Sequence, residues 1–135
     1  MVVTPLYAAL LVLWFLVLTL RVLQNRRSAK VSLGDGGNTL LQRAIRGHAN
    51  FAEYVPLGLL LLAILELSRF SIYLLHAIGI LLLVARLLHS YALAFTSEFR
   101  FGRLWGATLT FAVLTVEALL CLYQAYRGHV VWFTT

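Results

Sequence analysis

The sequence predicts an all-α integral membrane protein, a four-helix bundle with four transmembrane helices, and three observations lead there. Of its 135 residues, 61% are hydrophobic and only 12% charged, far from the roughly half-apolar, quarter-charged make-up of soluble domains. The apolar residues gather into four runs, each near or above the ~20 residues that cross a bilayer as a helix. Three short polar breaks separate the runs. A single domain, 1–135, accommodates the whole pattern.

The first run, Pro5 to Leu23, has no basic residue before it and no small-residue cleavage site after it. It reads as a retained membrane helix over 5–24 and not as a secretory signal. A basic connector follows, with Arg26, Arg27 and Lys30 ahead of Gly34-Asp35-Gly36-Gly37-Asn38, whose glycines permit tight turns. Thr39 and Gln42 have capping-box spacing, so a second helix is expected over 39–67. Pro56 interrupts its hydrogen bonding and predicts a kink. Ser68 and Arg69 leave room only for a tight turn, which makes helix two and a third helix over 71–95 an antiparallel hairpin. After a polar break from Thr96 to Arg103, a fourth helix is expected over 103–127, with a short tail carrying Trp132 and Phe133.

Eleven basic residues, ten of them arginine, face five acidic ones, a formal charge of +6. The arginines interrupt apolar runs and build no soluble basic face, which argues against nucleic acid as a partner. The connectors around Arg26 and around Arg100/Arg103 are the basic ones, which places both on the cytoplasmic side and both termini outside. Cys121 is the sole cysteine and sits in an apolar run, where a packing role suffices. No metal-ligand cluster, phosphate-binding loop, dinucleotide fingerprint or nucleophile elbow is present.

Charged residues inside the spans are the informative ones, since each costs about 2.5–3.5 kcal/mol at the bilayer centre. On helix two, Arg43, Arg46, Asn50 and Glu53 fall within about 80° of one another, one stripe that must face protein or water. On helix three, Arg86, His89 and Ser90 share a face. Counted down from the hairpin at ~1.5 Å per residue, Glu53 and Arg86 lie at matching depths and are the expected ion pair. That pair alone would serve to hold the hairpin together. Arg21, Arg43, Arg46, Arg86, Arg100 and Arg103 nevertheless gather toward one side with only Glu53 and Glu98 to offset them. The surplus invites an anionic ligand or phospholipid headgroups. Glu117 lies at another depth and either pairs across a subunit interface or marks a separate polar contact. Gly102 and Gly106 have the small-xxx-small spacing of close helix contacts. His48 falls off the helix-two stripe.

Several arginines can hold carboxylates by paired hydrogen bonds, and a positive field favours thiolate over thiol. A thiol peptide with two carboxylates meets both conditions, and a membrane site lets an apolar electrophile arrive from lipid. Against this background, Arg43-Ala-Ile-Arg46-Gly-His48-Ala-Asn50-Phe-Ala-Glu53-Tyr54-Val-Pro56 resembles the helix-two signature of the MAPEG family, the membrane-associated proteins in eicosanoid and glutathione metabolism. The run from Leu33 to Pro56 is similar to a bacterial YecN-like inner-membrane branch.

The resemblance implies a homotrimer of four-helix subunits in the bacterial inner membrane, with glutathione as thiol co-substrate between neighbouring subunits. It implies glutathione contacts from Arg46, Asn50, Glu53, Arg86 and His89, with Arg21 at a matching basic position. Arg43 and Ser90 join this set from their helical faces. Arg100 or Arg103 matches the catalytic arginine that stabilises the thiolate. The chain departs from the eicosanoid enzymes at Leu93, where a ligand-binding tyrosine would be sought. The expected activity is a glutathione-dependent transferase or peroxidase acting on small lipophilic substrates. The alternative is a non-catalytic lipid- or ligand-binding module of the same fold. A small transporter is disfavoured by the lack of any inverted repeat.

Overall fold

A computed structural model describes the backbone of residues 1–134 and the surroundings of side chains as far as His129. Four helices alternate in direction: α1 (Val3–Ala29), α2 (Thr39–Leu67), α3 (Ile72–Ala94) and α4 (Arg100–Thr134). Each is long and apolar enough to cross a membrane. α2 and α3 form the centre. Each packs on the other and on both outer helices, whereas α1 and α4 do not meet among the described residues.

Leu11 and Leu18 of α1, Leu62 and Leu65 of α2, and Leu82 of α3 are fully buried, with Val113 of α4 beside them. Equally apolar side chains cover the outside, among them Leu13, Leu20, Leu60, Leu104 and Leu122. Lipid tails are as apolar as leucine, so this outward display costs nothing in a bilayer. Close packing decides where the helices cross. A Cβ on Gly106 would lie 2.6 Å from Cβ of His89 and 2.7 Å from its backbone nitrogen, so α4 rests directly on the α3 backbone there. The Gly102/Gly106 pair thus serves contact within the chain.

The helix ends differ instructively from the sequence reading. α1 continues past residue 24 to Ala29 and closes on Lys30, which adopts the left-handed conformation (φ 53°) usually left to glycine. The closure is a Schellman motif, with Lys30 N bonded to Arg27 O and Val31 N to Arg26 O. Arg26 then clasps the connector by donating to the Gly34 carbonyl at 2.9 Å. The cap of α2 is Asn38 and not Thr39, because the Asn38 side chain accepts from Leu41 N at 2.9 Å. α2 runs unbroken through Pro56. A second Schellman closure, with Arg69 at φ 60°, makes the tight turn into α3. α4 begins at Arg100, three residues earlier than expected, and runs as one helix of 35 residues in place of a span and tail.

The free N–H groups at the start of α1 are capped from far along the chain. The Glu66 carboxylate, at the end of α2, accepts from the backbone of Val2, of Val3 at 2.9 Å and of Thr4 at 2.8 Å. An anion at a helix N-terminus also complements the helix dipole. Tyr7 adds a second tie at this end, its hydroxyl 3.0 Å from Nδ1 of His76.

Candidate functional site

Arg86 is the centre of the buried polar region. The residue is 1% exposed, in the wedge between α2, α3 and α4. One terminal nitrogen donates to the Thr110 hydroxyl at 3.2 Å, and the other to the Asn50 side-chain oxygen at 2.8 Å and backbone carbonyl at 3.2 Å. The rings of Phe51 and Tyr54 stand 5.7 and 5.4 Å from the charge, within cation–π range. Nε has no partner among the described residues. The expected Arg86–Glu53 ion pair is therefore replaced by an Arg86–Asn50 clamp. The depths agree, but the guanidinium reaches inward along the wedge, and Glu53 lies on the exposed side of α2. Arg46 is exposed on α2 as well.

Beside this wedge, toward the basic end, His89, Arg100, Arg103, Leu104 and Ala107 line an open cleft of about 400 Å³, a size that suits a small-molecule ligand. Nδ1 of His89 lies 2.9 Å from the Arg103 carbonyl. A carbonyl only accepts, so Nδ1 carries the proton and Nε2 is the atom left for a ligand. The close Gly106 crossing is what allows this bond to form. Arg100 and Arg103, both in the first turn of α4, reach the same cleft.

Three other expected site residues have structural partners in the chain. Arg43 donates to the carbonyls of Leu93, Ala92 and Ser97, each at 3.2 Å, and so caps the end of α3. Ser90 is fully buried, donating to the Arg86 carbonyl at 2.6 Å and accepting from the Trp14 indole at 2.8 Å. Arg21 lies over Phe95 at 5.1 Å, with Nε 3.4 Å from the Ala94 carbonyl. It lines a small pocket with Arg43, away from the His89 cleft. His48 packs on α1, stacked 4.4 Å from Phe15 and bonded to Thr19. Glu117 is fully buried inside the chain, with both carboxyl oxygens unpartnered among the described residues, which rules out pairing across a subunit interface in this conformation.

Thr110, Phe51, Tyr54 and Trp14 escaped the sequence reading. Thr110 was the recoverable one, since it sits one turn from Gly106 on the face that packs against α3. Phe51 and Tyr54 lie inside the helix-two signature without having been singled out from it, and no local motif marks Trp14.

Fold and site together define a class: a four-pass helical membrane protein whose buried arginine is clamped between helices, next to a basic cleft. The comparisons with known proteins make that class specific. The model of the MAPEG family matches residues 4–123, and the chain belongs to that family. Inner membrane protein YecN of Escherichia coli strain K12 is 38% identical over 89 residues, 66% of this chain and 68% of its own length. The YecN protein of Escherichia coli O6:H1 strain CFT073 is similar to the same extent.

Proposed function

We propose that the protein binds glutathione between the subunits of a homotrimer and uses its thiol on small lipophilic electrophiles or peroxides. The observation that carries this reading is a site only half built within one chain. Arg46 and Glu53 stand exposed on a membrane-crossing helix, and Arg100 and Arg103 line an open cleft. Charges left facing lipid are costly, so a neighbouring subunit and a polar ligand are the natural cover.

The donor set fits the peptide's chemistry. Arg46 and the cleft arginines suit its two carboxylates, and Glu53 suits its ammonium group. Asn50, Arg86 and His89 fix the geometry around them. Arg100 or Arg103 would stabilise the thiolate, which is the nucleophile toward an electrophile arriving through the membrane. Arg21 enters this site only as a contribution from an adjacent subunit. The YecN relatives are named as inner membrane proteins, and the same membrane is proposed here, with the basic connectors on the cytoplasmic side.

A thiolate absorbance measurement tests the reading. Added glutathione should give a thiolate band at neutral pH, and alanine in place of whichever of Arg100 and Arg103 faces the thiol should abolish it, while calorimetry still detects weakened binding. Absence of a thiolate band with the unaltered protein, together with no conjugation of a model electrophile, would leave the non-catalytic ligand-binding reading in its place. That reading draws support from Leu93, which offers no hydroxyl where the eicosanoid enzymes are expected to have one.

A further inference from the structure

α1 and α3 leave a groove between them on the side of α3 turned away from the His89 cleft. On α1 its wall is a helical stripe, Leu10, Trp14 and Val17, that ends at Arg21. On α3 the matching stripe is Leu83, Leu87 and Tyr91, and it ends at Phe95. Two adjoining hollows of about 330 and 280 Å³ share Trp14 and Leu87, so the groove is continuous. Of its two polar wall groups, the Trp14 indole N–H turns inward to Ser90 at 2.8 Å, and Tyr91 belongs to the basic end. The surface left to an occupant below Tyr91 is therefore apolar.

The groove's length and its charged end say what fits. From Leu10 to Arg21 is eleven residues of helix, about 16 Å, which is about half of a ~30 Å hydrocarbon core, or one leaflet. At the basic end Tyr91 stacks on Phe95, with ring centroids 5.4 Å apart, and the Arg21 guanidinium covers the other ring. Only Nε of Arg21 is hydrogen-bonded among the described residues, so its terminal nitrogens are open to an acceptor. An arginine at headgroup level above an apolar channel one leaflet deep is complementary to a lipid phosphate carrying one acyl chain.

We infer that this α1–α3 groove is a binding site for an anionic phospholipid of the leaflet on the basic side, with its phosphate on Arg21 and an acyl chain along Trp14 and Leu87. Within one chain the site lies on the opposite face of α3 from the thiol cleft, and Arg21 is open to a lipid phosphate when no glutathione is bound, so quenching measured without glutathione tests it separately from thiol binding.

Trp14 is a built-in reporter. In a protein carrying Trp105→Phe and Trp132→Phe, quenching of Trp14 by dibrominated phosphatidylglycerol is compared with quenching by dibrominated phosphatidylcholine in reconstituted vesicles. The expected preference for the anionic lipid is about fivefold, the effect of one basic residue near the surface. Arg21→Gln should bring it close to one, Arg21→Lys should keep most of it, and Arg27→Gln should leave it unchanged. Equal quenching by the two lipids overturns the proposal. So does an equal loss in Arg27→Gln, which would mean diffuse attraction, or an unquenched Trp14, which would mean that another subunit covers the groove.

Discussion

The clamp on Arg86 can be measured through its weakest member. Thr110→Val keeps nearly the same shape but removes an acceptor 3.2 Å from the guanidinium of Arg86, a residue 1% exposed and with one nitrogen unpaired among the described residues. A hydrogen bond from a charged donor contributes about 1.5–3 kcal/mol, and the long distance places this one near the lower end, about 1.5–2 kcal/mol. The same change in an Arg86→Met background should cost under about 0.5 kcal/mol, because the Thr110 hydroxyl then serves only the Gly106 carbonyl of its own helix. The difference is a coupling energy of at least about 1 kcal/mol, well above the non-additivity of independent sites. It is read from unfolding in mixed micelles, followed by far-ultraviolet circular dichroism at one fixed protein concentration. Equal costs in the two backgrounds would refute the claim that Thr110 holds Arg86.

Gly106→Ala pushes a methyl into the His89 backbone, where no rotamer can relieve it, and should cost about 1–3 kcal/mol in the same unfolding assay. The His89–Arg103 bond should loosen with it, seen as a shift of the His89 ring resonances in a nuclear magnetic resonance spectrum. Glu117→Leu removes a buried carboxyl that has no donor among the described residues and should be neutral or stabilising by about 1–3 kcal/mol. A destabilisation beyond about 1 kcal/mol would reveal a partner for it. Glu66→Gln should weaken the cap of α1 by about 1 kcal/mol, visible as faster amide exchange at Val3 and Thr4 with little change at Leu18.

How much of this was legible in the sequence depends on how local the signal is. The four spans come from composition summed over some twenty residues, and α2 begins and ends where the pattern places it. α1 and α4 run longer than expected because their ends are fixed by details that hydropathy does not carry: a lysine in the left-handed conformation at Lys30, and a polar first turn at Arg100. The stripe on α2 was readable from helical phase. Which way a long side chain turns from its helix was not, so Arg86 of α3 took Asn50 and not Glu53, and Arg43 of α2 took the carbonyls of α3. Glu66 lay beyond any local reading, because it caps a helix that begins more than sixty residues earlier.

Direct titration of the purified protein with glutathione by calorimetry, in detergent or a lipid disc, decides whether it binds this thiol peptide. Saturable binding is expected, which Arg46→Ala weakens at least about tenfold by the loss of about 1.4 kcal/mol of charge-assisted hydrogen bonding, and which Arg86→Ala weakens by releasing the Asn50 side chain it holds. No heat of binding from a folded, unaltered protein, or binding that both variants leave intact, would contradict it.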